Sequence, residues 1–132
     1  MRMAVYSSET IAERIRNSLH VTGIIMVPVI PGVFTRHDFR SLDRLLDSDL
    51  IIMEAAAADV DKVCQHLKGS RYVPLVMLVD ENHVDWEQLC YCGASAYIPI
   101  SAGDREFDSR INSVIKNIMA TLSASSREES PL

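Results

Sequence analysis

Glu54 closes the run Asp49-Leu50-Ile51-Ile52-Met53-Glu54, a short apolar stretch that ends in a carboxylate. In an open α/β sheet, ligands and chemistry gather at the carboxyl ends of the strands. A carboxylate placed there could attack an electrophile or hold a cation, but either task needs company: a second carboxylate, a lysine, a histidine or a hydroxyl. The residues that close or follow the other apolar runs are Ser7 and Ser8, Val79 and Ile100. They supply hydroxyls after the first run, and no second carboxylate, lysine or histidine.

The remaining reactive side chains do not cluster either. Cys90 and Cys92 flank Tyr91 in a helical stretch, where residues two apart point in different directions. With Cys64 they make neither a disulfide framework nor a zinc set, and they read as small buried apolar residues. His20, His37, His66 and His83 share no ligand spacing and fall near helix ends, where surface or capping roles are expected. No metal site is expected.

The elements that must position Glu54 follow from periodicity. Residues 3–6 read as a first strand, with Ser7 and Ser8 as N-cap candidates for a helix over 9–20 that aligns Ile11, Ile15 and Leu19. Residues 24–30 form a second strand. Pro28 inside it cannot donate to a ladder, which places the strand at a sheet edge. A helix over 38–46 carries Phe39, Leu42, Leu45 and Leu46, and 50–54 is a third strand, apolar without alternation as in strands covered on both faces. A helix over 58–68, a strand over 73–79, a helix over 83–92 and a strand over 96–100 follow. The last helix, over 104–122, spaces Phe107, Ile111, Val114, Ile115, Ile118 and Leu122 on one stripe. Strict alternation implies parallel strands with right-handed crossovers and helices on both faces. With the second strand at an edge, the expected fold is a five-stranded flavodoxin-like sheet in the order 2-1-3-4-5.

At 132 residues the chain suits one domain, expected over 1–122, with 123–132 a mobile polar tail or the start of a linker. A net charge of −5 argues against a nucleic-acid surface. No apolar run approaches the roughly 18 residues of a membrane span, and the N-terminal residues lack a signal-peptide core, so a cytoplasmic place is expected. A flavin site would need glycine for close backbone approach to phosphate, and none stands between Met1 and Val21. No cofactor is expected.

In this order of elements, three segments carry a family resemblance: Asp49 to Glu54, the run Val73-Pro74-Leu75-Val76-Met77-Leu78-Val79, and Gly93-Ala94-Ser95-Ala96-Tyr97-Ile98-Pro99. Over about residues 2–122 the chain resembles the CheY-like receiver domain of two-component response regulators. The resemblance implies a phosphoryl site in which an aspartate is the nucleophile and Mg²⁺, held by acidic residues after the first strand, neutralises the phosphoryl oxygens. A Thr/Ser and a Lys complete it. On this chain the acidic pair falls on Ser7 and Ser8, the acceptor on Glu54, the Thr/Ser on Val79 and the Lys on Ile100, followed by Ser101 in place of proline. Glutamate reaches one methylene further than aspartate, about 1 Å, and misplacement of that size can cost ~10²-fold in rate. Loss of a stabilising cation is often worth ~2.7–4 kcal/mol in comparable sites. The resemblance is therefore to a degenerate pseudo-receiver.

Phosphate mimicry by Glu54 would act through a cation or hydroxyl donor, and those positions hold Ile100 and Val79. A carboxylate that is solvated or bonded by nearby backbone is expected instead. Tyr97 falls at the family's switch aromatic, and with Val79 unable to bond its hydroxyl it is expected to pack in one place. Trp86, on the fourth helix, suits either a partner contact or packing on the sheet. Ile118 and Met119 near the end of the last helix could meet a dimer partner or an output domain. The expectation is a regulatory protein-interaction or dimerisation module, not an enzyme, that works through helix 4, strand 5 and helix 5, with a protein partner or an attached output domain. A receiver with unorthodox phosphoryl chemistry, for instance on a serine, and a flavodoxin-like ligand-binding domain are the alternatives.

Overall fold

Each expected element is present, most of them trimmed at their ends and the last helix extended. In the computed structural model, which describes residues 1–57, 59–70 and 72–128, the order is β1 (Arg2–Tyr6), α1 (Glu9–Ser18), β2 (Ile25–Val29), α2 (Phe39–Leu46), β3 (Leu50–Glu54), α3 (Val60–Lys68), β4 (Leu75–Val79), α4 (Trp86–Cys92), β5 (Ala96–Pro99) and α5 (Asp104–Glu128). The strands are all parallel and lie in the order β2-β1-β3-β4-β5. This is the flavodoxin-like arrangement expected from alternation and from Pro28.

Ladder geometry explains why Pro28 is tolerated. The Ile25 N–H donates to the Met1 carbonyl, and the Ser7 N–H donates to the Val29 carbonyl, so odd-numbered residues of β2 bond toward β1. Pro28 faces the open edge, where its missing N–H costs no ladder bond and deprives a second chain of a donor.

Side-chain alternation divides the core into two layers. Ala4, Tyr6, Ile51, Met53, Leu75 and Met77 point to one face, where α2, α3 and α4 cover them with Leu42, Leu45, Val60, Val63 and Leu89. Met3, Val5, Ile52, Val76, Leu78 and Ile98 point to the other, under α1 and α5, with Ala12, Ile15, Phe107, Ile111 and Ile115. Three strands buried on both faces account for the lack of polar alternation in their sequences.

Two boundaries differ for identifiable reasons. The fourth helix starts at Trp86 and not at residue 83, because Asp85 caps it by accepting the Gln88 N–H at 3.0 Å, after a 3-10 turn over Glu81–His83 capped by Asp80. The run beginning at Ser123, read as tail or linker, is helical as far as Glu128. Ala124, Arg127 and Glu128 are adequate helix formers, and no breaker stands before Pro131. Residues 129–132 lie outside the described residues. No helix among the described residues is long and apolar enough to cross a membrane.

Candidate functional site

The carboxyl ends of β1, β3 and β4 bring Ser7, Ser8, Glu54 and Val79 to one edge of the sheet, with Ile100 just beyond β5. β1 pairs with β3 up to Tyr6↔Met53, and Glu54 pairs with Leu78 one step before Val79. Ile100 is tied to β4 by its N–H, which donates to the Val79 carbonyl at 2.9 Å.

Glu54 is half-buried and already engaged. Its Oε1 accepts the Ser8 backbone N–H at 2.7 Å, while the Ser8 Oγ accepts the Ile11 N–H at 3.4 Å as the N-cap of α1. The carboxylate therefore sits against the amino end of α1, where an anion is favoured by free N–H groups and the helix dipole. Ser7 is buried, its hydroxyl donates to the Ser8 carbonyl, and its N–H is used by β2. Neither serine carries the charge that an acid would bring to a metal. Among the described residues no group of three or more His, Cys, Asp or Glu could hold a metal ion. Val79 is buried in the layer under α2, α3 and α4, and Ile100 is half-buried against the layer of α1 and α5.

Arg14 brings a positive charge to this edge through its contacts, and sequence reasoning missed it. It reaches from α1 to the loop between β5 and α5, donating to the Ile100 carbonyl at 2.6 Å and the Ala102 carbonyl at 2.7 Å. Its guanidinium lies 4.0 Å from the centroid of the Phe107 ring and 3.7 Å from Asp104. A planar cation with several donors suits this combined stack and fork. The loop that follows Ile100 is thus pinned through its carbonyls. A single arginine at position 14 gives no sequence signal, since its acceptors are backbone.

Tyr6 was also missed. Its hydroxyl donates to Asp59 Oδ1 at 2.5 Å and accepts the Gly32 N–H at 2.8 Å, joining β1, the loop after β2 and the start of α3. Burial above all, then the Asp59 bond, pushes the Tyr6 hydroxyl up to about 12. Asp59 is buried, and its Oδ2 has no partner among the described residues.

Around β5 the aromatic residues are exposed. Trp86 is 58% exposed and Tyr97 41% exposed, and their rings meet edge to face at 5.4 Å between centroids. Tyr97 points outward toward α4, and Trp86 packs on it and not on the core. Ile118 and Met119 are half-buried against the core layer of α5. Ile118 also lines a cavity of about 300 Å³ at the opposite end of the sheet, with Ser48, Asp49, Tyr72, Pro74 and Leu122. All four histidines are exposed.

The cysteine reading needs correction. Cys64 of α3 and Cys92 at the end of α4 form a disulfide across a Cα–Cα distance of 5.1 Å, and Cys90 is exposed, not buried. The two partners are 28 residues apart and meet only because successive crossovers lay α3 beside α4.

This fold matches known structures. A signal receiver domain of a signal transduction histidine kinase from Syntrophus aciditrophicus superposes with a TM-score of 0.64 at 25% identity, over 99% of this chain and 96% of that one. The chain has the fold of a CheY-like receiver domain. A response regulator from Hahella chejuensis gives a TM-score of 0.70 at 21% identity, over 89% of this receiver-fold chain and 93% of its own. The phosphorylated cyanobacterial phytochrome response regulator RcpA gives 0.66 at 14% identity, over 91% and 94%. No protein-family model and no curated protein matches the sequence.

Proposed function

We propose that this chain is a receiver-fold regulatory module that takes no phosphoryl group and signals through protein contact, not catalysis. The observation that carries this reading is the Glu54 carboxylate bonded to the Ser8 N–H at 2.7 Å, between positions filled by Ser7, Val79 and Ile100. A phosphoryl acceptor needs a carboxylate oxygen in line with phosphorus and cations that neutralise the phosphoryl oxygens. Here the carboxylate serves as a brace between β3 and α1, and the Arg14 guanidinium is committed to carbonyls. What remains for function is surface. The exposed Trp86–Tyr97 pair on α4 and β5, with α5 beside it, is the best supported contact face, because a large exposed aromatic pair suits a partner's apolar pocket. The partner is a protein, a second copy of the chain or an attached output domain, in a two-component setting.

Trp86 is the sole tryptophan and sits on this face, so its emission reports on it directly. Addition of acetyl phosphate with Mg²⁺ is expected to leave the Trp86 emission maximum and intensity unchanged. A Mg²⁺-dependent change on addition of the phosphodonor would overturn the proposal.

A further inference from the structure

The Cys64–Cys92 pair lies between the two helices whose relative placement shapes the proposed contact face, and a surface cleft reaches it. A cleft of about 250 Å³ ends on both cysteines and is also lined by Lys68, Ser70, Tyr72 and Val73. Cys92 is 8% exposed and Cys64 1%, so an incoming reagent meets Cys92 first. Lys68 stands four residues after Cys64 on the same face of α3, with its ammonium 3.8 Å from the centroid of the Tyr91 ring.

The fold gives no reason for a structural staple here. Disulfides substitute for a core in small domains that lack one, and this sheet is covered on both faces by full apolar layers. What the bond does constrain is α4. That helix has seven residues, Cys92 is its last, and Gly93 caps it in the left-handed conformation at φ 68°. Its first residue, Trp86, leans on Tyr97. The disulfide therefore fastens one end of α4 to α3, while the other end forms the exposed aromatic pair.

We propose that Cys64 and Cys92 are a thiol–disulfide modification site for small thiols and disulfides of the glutathione class, and that its state sets the order of α4 and of the Trp86–Tyr97 face. In the reducing direction a thiolate attacks Cys92 Sγ, forming a mixed disulfide and expelling the Cys64 thiolate. A second thiolate then attacks the sulfur of the small molecule in that mixed disulfide, releasing the Cys92 thiolate and one small-molecule disulfide. Two electrons pass to the protein, and the two protons from the reagent thiols end on Cys64 and Cys92. Oxidation is the reverse. The site is chemically independent of Glu54, so it stands apart from the phosphoryl reading.

The test equilibrates the full chain in glutathione buffers from oxidised to reduced, then traps free thiols with iodoacetamide and reads intact mass. Trp86 emission and amide exchange are followed in parallel. Oxidised protein should take one alkyl group, on Cys90, and reduced protein three. Reduction should speed amide exchange in α4 by about tenfold or more, as expected for a short helix released at one end, and should shift Trp86 emission, reversibly. Cys90→Ser should keep the whole response. Cys64→Ser with Cys92→Ser should show the reduced behaviour in every buffer; if that variant fails to fold, the wild-type and Cys90→Ser titrations decide. Three alkylations in both buffers, an α4 indifferent to the bond, or a response lost in Cys90→Ser would each overturn the proposal.

Discussion

Phe107→Ala is expected to lower unfolding stability by about 3–5 kcal/mol, a large share of the roughly 5–15 kcal/mol typical of a domain. The ring is fully buried between α1, α5 and the sheet, among Ile15, Leu78, Ile98, Ile111 and Ile115. Removing it costs both the transfer of apolar surface and the cavity that close packing cannot fill. A second consequence is particular to this chain. The ring is the platform on which the Arg14 guanidinium lies, so its loss also loosens the fork that holds the Ile100 and Ala102 carbonyls. Thermal unfolding followed by circular dichroism should shift down by on the order of 10 °C. Amide exchange should quicken over residues 100–103. Arg14→Ala should reproduce that local exchange with a much smaller loss of global stability, since it opens no cavity in the core. A loss below about 1 kcal/mol in Phe107→Ala would contradict this packing.

The second large effect is expected at Tyr6. Tyr6→Phe removes the hydroxyl that donates to Asp59 and accepts from Gly32, leaving Asp59 with a single long bond from the Gly32 N–H at 3.2 Å. A bond to a carboxylate in a buried place is worth about 1.5–3 kcal/mol, and the stranded carboxylate adds to the loss. The pH dependence has a definite sign. The folded chain holds the Tyr6 hydroxyl up to about 12, above its ordinary 10.0, because burial and then the Asp59 bond disfavour the phenolate. The corresponding stability is complete below pH 10 and is lost as pH rises through about 12. Urea unfolding at a series of alkaline pH values should show this decline in the wild type. In Tyr6→Phe the curve should begin lower at neutral pH and decline less across that window.

Much of the fold was legible because its signals are local. Alternating apolar runs and amphipathic stretches fixed the element order, and Pro28 alone placed β2 at an edge, as its outward-facing backbone explains. The strand ends were also legible: Ser7, Ser8, Glu54 and Val79 come to one edge because parallel strands end together. What escaped was carried by contacts between elements. Arg14 bonds to carbonyls 86 and 88 residues away, which any side chain could precede in sequence. Asp59 at the start of a helix carries no sequence mark of its burial against Tyr6. Cys64 and Cys92 have no motif spacing and meet only through the placement of α3 beside α4. The end of α5 was set too early because a serine-rich run reads as tail, although helix geometry is permitted until the proline.

On the proposed reading, Glu54 stands at the edge where receivers hold a phosphoryl group and serves as a hydrogen-bonded brace. The direct test of this reading is intact mass spectrometry of the full chain after prolonged exposure to acetyl phosphate with Mg²⁺. An unchanged mass is expected, because Glu54 is bound to the Ser8 N–H, serines stand at the acidic positions, and Val79 and Ile100 stand at the positions of the hydroxyl and the lysine. A stable, stoichiometric gain of one phosphoryl group, on Glu54 or on a neighbouring serine, would contradict it.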